Sequence, residues 1–576
     1  MVSSKRFNSF HGRVGKLYDL LGRHPFSVSF GLIILLTPLC FGAQGNITDS
    51  AKMIWCLTGV AMPVSVILWL YKLRILNKAA AIVTVAVLVL SGGLASSYFI
   101  DSERASLWIF FYMFLAIVVF RFLTLSDKER SDKHNAFMIM AFSFAIKFCY
   151  VLYTSCYTRQ NDVGSFDGDK GHAAYIEYLI QNKHLPDFNP TDRWQFYHPP
   201  LHHTVSACWI DICENVLGAS RNHARESLQM LMMFYSLACV IIVYKLLRHF
   251  GFSGKSLLIP LALFAFHPAF ILSSGAINND QLAAFMTVLT MLFTVRWFKE
   301  PTVKKIIPIA FSIGCGMMAK LNAGMIAPAV AVLFFWQLIR YRAEIKRILL
   351  QYVVFGAICF PLGLWWTIKN KIQWGVPFDY VPYVGGDQFI NKEIFERLFD
   401  LSPKQFSPVF ENWIRDGSEF TEYNPNVAIL KNSIFGEDIN KTNFPGGNTI
   451  IPTILFWVAL VLALLGVFFI VYFLFKKTTK LEKPYKVFFA VYWAFSLYYF
   501  YVFCYTYTAT CTMNFRYLTP ILVVSVMQYA MLYDQLGRGE TTTAKKVISR
   551  IFTCMIAAFC LLSVVTYLLV GYMEVN

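Results

Sequence analysis

Long apolar runs separated by short basic connections occupy most of this chain, and most of the runs have roughly the 17 to 25 residues that an α-helix needs to cross a bilayer. They lie near 26–43, 53–71, 79–99, 106–123 and 136–156, and then near 225–247, 256–273, 281–298, 306–320, 322–338, 349–366, 450–475, 486–505, 515–533 and 551–572. The pattern predicts an all-α polytopic membrane protein with about 15 spanning helices. One run differs. Over 201–217, Leu201, Val205, Cys208, Ile212 and Val216 form an apolar stripe at helical spacing, while His202, His203, Asp211 and Glu214 occupy the rest of the surface. Such a helix lies in the membrane interface instead of crossing.

Composition supports lipid as the solvent. Of the 576 residues, 57% are hydrophobic and only 15% are charged, more apolar surface than a soluble fold of this length can bury. Aromatic residues make up 17%, and much of the Trp and Tyr sits at the ends of the apolar runs, where amphipathic rings favour the interface. A net charge of +17 would point to nucleic acid in a soluble chain. Here the basic residues cluster between apolar runs, as the positive-inside rule requires, and nucleic acid is not an expected partner. The 13 cysteines lie mostly inside apolar runs without metal-ligand spacing, and read as small buried hydrophobes. No small-residue cleavage site follows the first run, which reads as a retained helix.

Threading the helices from a cytoplasmic N-terminus puts the basic clusters from Lys72 to Lys78, Lys128 to Lys133, Lys245 to Lys255, Arg296 to Lys305, Arg340 to Arg347, Lys476 to Lys486 and Arg538 to Arg550 inside. The polar stretches 157–224 and 367–449 then fall outside, with the connections around Asn278-Asn279-Asp280, Lys320-Leu321-Asn322 and Thr506 to Arg516. The expected division is an extra N-terminal module over 1–135, a membrane core over 136–370 with its first outer loop at 157–224, an outer subdomain over 371–449, and C-terminal helices over 450–576.

The densest chemistry is in residues 157–203. Gly171 opens a predicted short helix in which His172, Tyr175, Ile176 and Leu179 share a face, near the acids Asp162, Asp167 and Asp169. Asp169 is the expected N-cap of that helix. Asp167-Gly168-Asp169 is alternatively a divalent-cation chelate, although no cofactor is otherwise expected. The His198, His202 and His203 group lacks zinc-type spacing and reads as substrate contact. His267-Pro268 reads as a buried, hydrogen-bonded histidine at a kink, and Asp280 as either a helix cap or a wall of the donor pocket. Asn46-Ile47-Thr48 is a glycosylation sequon on the outer side.

The acidic outer loop, the histidine on a following short helix and then His198-Pro199-Pro200-Leu201 resemble the C-type glycosyltransferase superfamily (GT-C), especially protein O-mannosyltransferases and aminoarabinose transferases. The resemblance covers roughly 136–370. Its acidic pair is not reproduced, because Val163 follows Asp162 and Lys170 follows Asp169. The resemblance implies inverting transfer of a sugar, of hexosyl or mannosyl type, from a polyprenyl-phosphate-linked donor to an extracytoplasmic acceptor, namely a protein, a lipid or a cell-envelope glycan.

That chemistry needs a base for the acceptor hydroxyl and cations for the departing phosphate. Asp162, Asp169 and Asp167 are the candidate catalytic acids. Asp162 is preferred over Asp169, for which a cap role already accounts. Lys320, Lys369 and Arg516 are the candidate phosphate ligands, weighed against simple snorkelling. His172, Tyr175, His198, His202, His203 and Asp280 complete the expected binding site. A transporter or flippase of lipid-linked saccharides, and a glycan ligase or polymerase, are the competing readings. Crowding of ionisable residues at the outer face, away from the bilayer midplane, favours the enzyme over the transporter. The expected location is a bacterial plasma membrane, with the active site facing out.

Overall fold

The computed structural model describes residues 25–43, 105–124 and 132–574, apart from 379, 383–387, 413–414, 417–418, 478 and 540–541. The expected runs 53–71 and 79–99, the basic residues of their loops and the sequon at 46–48 lie outside the described residues. All the other predicted runs are helical. Among the described residues, nine helices are long and apolar enough to cross a membrane, or ten if one bent pair is counted as a single span. The run predicted at 306–320 forms the helix Val303–Ala319, which at 17 residues falls just short of that count. Strand structure is confined, among the described residues, to a hairpin pairing Arg415–Asp416 with Glu419–Phe420.

Burial sorts the helices into an inner and an outer set. Asp132–Tyr153, Leu228–His249 and Asp280–Lys299 are mostly covered, whereas Arg342–Trp374, Ile450–Phe475, Lys483–Thr506 and Thr543–Glu574 leave most of their apolar surface open. An apolar surface of that kind suits lipid. Close approach between Val303–Ala319 and Arg342–Trp374 depends on glycine, since a Cβ on Gly314 would meet Leu362 at 3.0 Å. Pro25–Ala43 packs on the inner set through Phe30 against Phe234 and Trp209.

One inner helix is broken. Lys255–Ala265 and Pro268–Gly275 meet at 44°, because Pro268 can neither donate to the helix ladder nor fit inside it. The carbonyls freed at the break are satisfied from neighbouring helices. Ser143 Oγ (2.8 Å) and Lys147 Nζ (3.2 Å) donate to Ala265 O, and Ser563 Oγ donates to Phe266 O (2.7 Å). His267 caps the second piece by accepting from Ala269 N, as the sequence predicts for a buried histidine at a kink. The break delivers the turn 276–279 and then Asp280 to the end of the bundle where the polar loops gather.

The segment 388–449 builds a small lobe at that end. Its Phe410, Ile434 and Phe444 join the main apolar core and Tyr423 a second buried cluster, and the pair Lys431 and Glu422 is fully buried. Lys431 Nζ also donates to Glu411 O at 3.0 Å, so the buried charge is hydrogen-bonded as well as paired.

Candidate active site

The helix Gly171–Asn182 organises the acidic loop through its first-turn donors. Gly171 N donates to Trp194 O (3.0 Å), His172 N to Asp162 O (3.1 Å) and Ala173 N to Val163 O (2.9 Å). Backbone carbonyls therefore satisfy the free N–H groups that begin any helix. This corrects the expected cap. Lys170 occupies the N-cap position, no side chain caps the helix, and Asp169 is exposed. The contact is so close that only glycine fits: a Cβ on Gly164 would lie 2.0 Å from Lys170 O, and one on Gly171, at φ +94°, 2.4 Å from Val163 O.

Asp162 itself has φ +59° and Gln195 φ +73°. Among the described residues four non-glycine residues have positive φ, and Asp162, Gln195 and Arg159 all sit at this site or directly behind it. Backbone outliers gathered at one place point to function, because the surrounding structure has to hold them there.

Two cations and two carboxylates alternate beside the loop. Arg516 Nη2 lies 2.7 Å from Asp162 Oδ2, Arg516 Nε lies 3.7 Å from Asp280 Oδ2, and Lys320 Nζ lies 2.5 Å from Asp280 Oδ1. Tyr517 lies under both cations, with Lys320 Nζ 4.8 Å and the Arg516 guanidinium 5.0 Å from its ring centroid. Irregular backbone carries each cation. Lys320 ends the helix Val303–Ala319 in extended conformation, and Arg516 sits in the 3-10 turn Phe515–Ile521. Asn514 caps that turn by accepting from Arg516 N at 2.8 Å, and donates from its amide to Glu437. Asp280 is the first residue of its helix, but Asn279 holds the N-cap position with no side-chain cap, and Asp280 does not line the large cavity; instead it bridges the two cations from behind, which corrects both roles expected of it.

Glu437 is a neighbour that sequence reasoning missed. Burial pushes its carboxyl up to about 8, against the opposing pull of Arg516 and Asn514 and with Asp162 and Asp438 adding to the rise. It lines a 60 Å³ cavity behind Arg516, together with Arg159, Asp280, Asp438 and Asn514. The Asn514 cap was also missed; an asparagine two residues ahead of Arg516 is the signal that could have found it. Nothing near Glu437 in the sequence marks it.

The four histidines form one buried cluster. His172 Nδ1 and His203 Nε2 are 2.9 Å apart, the His172 and His198 rings stack at 5.6 Å, and His202 Nε2 lies 3.2 Å from Ile277 O. Burial, with neighbouring histidine or cationic groups adding to it, holds His172, His198 and His203 well below the usual imidazole range, and burial pushes His202 down to about 4 against the opposing pull of Ile277 O and Asp280. The cluster is therefore neutral at physiological pH. Among the described residues, no group of three or more His, Cys, Asp or Glu side chains is arranged to hold a metal ion.

Asp162, His198, Lys320 and Arg516 share the wall of a half-open cavity of about 960 Å³, with Tyr197, Trp366, Asn322 and Tyr517. Its remaining wall is largely apolar, from Val376, Pro377 and Phe378 on one side to Phe500, Val502 and Phe503 on the other. The other expected residues stand apart. Asp167 is exposed and pairs with Arg225 (2.8 Å), and Tyr175 is sealed between Phe196 and His203. His172, His202 and His203 lie behind His198. Lys369 turns away from the cavity, donating to Pro186 O at 3.3 Å with its ammonium 4.6 Å from the Trp366 ring centroid.

Comparison with known families gives one match. Residues 209–379 fit the family described as dolichyl-phosphate-mannose-protein mannosyltransferase. The matched stretch contains Asp280, Lys320 and Lys369, begins after the acidic loop and His198-Pro199-Pro200-Leu201, and ends before Arg516. The chain is thus similar to the O-mannosyltransferase branch of the GT-C superfamily. No curated protein matches the chain.

Proposed function

We propose, from that similarity and from the paired charges on the cavity wall, that this membrane glycosyltransferase moves a mannosyl-type hexose from a polyprenyl-phosphate carrier to a hydroxyl of an acceptor at the extracytoplasmic face. One observation carries the reading. A carboxylate on a strained backbone, Asp162, faces the same cavity as the cations Arg516 and Lys320, and the rest of that cavity is apolar enough for a prenyl chain.

In an inverting single displacement, the acceptor oxygen attacks the anomeric carbon as the bond from that carbon to the phosphate oxygen breaks. Asp162 takes the hydroxyl proton, and the polyprenyl phosphate leaves with one more negative charge than it had as a diester. Arg516 and Lys320, drawn to the carrier phosphate when the donor is seated, stabilise that growing charge. The neutral His198 is suited to hydrogen-bond sugar hydroxyls without competing for the phosphate. The histidines behind it, the Asp280 bridge between the cations, and Lys369 through its contact with Trp366 serve to position these groups.

The test is turnover of polyprenyl-phosphate mannose by purified enzyme, followed as release of polyprenyl phosphate. Asp162→Asn should abolish turnover and leave donor binding nearly intact, because shape and hydrogen-bonding capacity remain while the base is gone. Arg516→Ala should lose about 10²- to 10³-fold in kcat, the usual effect of removing one preorganised electrostatic donor. Normal turnover in both variants would exclude this mechanism.

A further inference from the structure

The helix Ile394–Phe399 in the outer lobe has its polarity turned inside out. Its arginine is fully buried, while Ile394, Phe395 and Phe399 are 56%, 74% and 63% exposed and Leu401, just beyond, is 62% exposed. Arg397 Nη1 donates to Cys504 O at 3.0 Å and Nε to Tyr423 O at 3.3 Å, and its guanidinium lies 5.0 Å from the Tyr505 ring centroid. The buried charge is held by a carbonyl near the C-terminus of the span Lys483–Thr506, the end of a helix that favours cations. The pinned arginine fixes which way the helix faces, and that orientation turns the phenylalanines outward. Phe395 and Phe399 lie 4.7 Å apart and form one continuous apolar surface. In water such a patch is unfavourable, and on a protein surface it marks an interface.

The segment 388–406 around this helix forms a strap whose ends show what covers it. At one end, Ile390 N donates to Thr508 O at 2.8 Å and Phe389 pairs with Ala509, just past the outer end of Lys483–Thr506. At the other end, Phe406 stacks on Trp457 of Ile450–Phe475, with ring centroids 5.9 Å apart. Both spans also present open apolar and aromatic side chains, among them Tyr498 (61%) on one and Ile450 (63%) on the other. The strap therefore runs between two open-faced spans at their ends nearest the polar loops.

We infer that residues 389–401 lie in the outer leaflet of the bilayer, with Phe395 and Phe399 among the acyl chains just below the headgroups and the adjacent Glu393 and Glu396 at the polar boundary. The partner is the lipid surface itself. This is the geometry of an interfacial helix, in which a short apolar face sinks a few ångströms while charged groups stay wet. The strap also contributes Gln388 to the wall of the large cavity, and pairs with the backbone just ahead of the turn that carries Arg516. Anchoring the strap in the leaflet therefore sets the height of the cavity mouth against the headgroups. The inference does not depend on which group the enzyme transfers.

It is tested on the full chain in phosphatidylcholine vesicles. Phe395→Cys and, separately, Phe399→Cys are labelled with an environment-sensitive fluorophore, and the unsubstituted chain labelled in parallel supplies the background of native cysteines. Both positions are exposed, so neither change removes core packing. The expected result is blue-shifted emission, quenched by lipids with a nitroxide high on the acyl chain and hardly at all by aqueous iodide. Quenching by iodide without quenching by lipid would show the face in water and overturn the inference. Protection from both quenchers would show it covered by protein, either a second copy or an acceptor, and would overturn it equally.

Discussion

Arg516 makes contact with two carboxylates at once, and a third carboxyl, Glu437, sits behind it through Asn514. Below about pH 8 Glu437 is neutral, so Arg516 is shared by Asp162 and Asp280 alone. Above that pH its carboxylate competes for the same guanidinium, so kcat/KM should fall as pH rises through this range. Glu437→Gln cannot ionise and keeps an acceptor for Asn514, so it should hold its activity on the alkaline side; a pH profile of both enzymes decides this. At this scale the sequence made the principals legible but not their relations. Asp162, Lys320 and Arg516 stood out as charges near apolar ends, whereas the pairing of Asp162 with Arg516 across the chain comes from tertiary packing that no local pattern encodes. Asp167 stood out as part of the acidic run and Lys369 as a cation at a helix end, and packing leads each to another partner.

The element that fixes the site is the turn 162–164 seated on the start of Gly171–Asn182. Gly171→Ala would drive a methyl into Val163 O and force an L-residue to φ +94°. Backbone strain of that kind costs on the order of 1–3 kcal/mol before the clash is counted. Gly218, also at positive φ but with nothing near its missing Cβ, isolates the strain alone. Gly171→Ala should therefore lose far more activity than Gly218→Ala, with Asp162 displaced, when both are assayed at matched expression. The helices themselves were legible wherever apolar periodicity was long, including the kink at His267-Pro268 and the histidine face of Gly171–Asn182. The cap was not, because the carbonyls of Asp162 and Val163, brought in by the fold, took the place that a side chain would otherwise fill.

At the scale of the molecule, the bias of the loop charges leads us to propose that the segment 157–224 faces outward. A cysteine in place of the exposed Asp187 should react with an impermeant thiol reagent on intact cells, over the background of native cysteines; protection until lysis would reverse the topology. The alternating charges of Asp162, Arg516, Asp280 and Lys320 also bear on the order in which substrates arrive. Without substrate, Arg516 is paired with Asp162, so the carboxylate we propose as the base is already engaged and not free to meet an acceptor hydroxyl. A carrier phosphate that draws Arg516 to itself frees that carboxylate in the same movement, so the base is unmasked only once the donor is seated. Initial-rate kinetics should then show compulsory order, donor before acceptor, and an enzyme waiting without donor should leave acceptor hydroxyls alone.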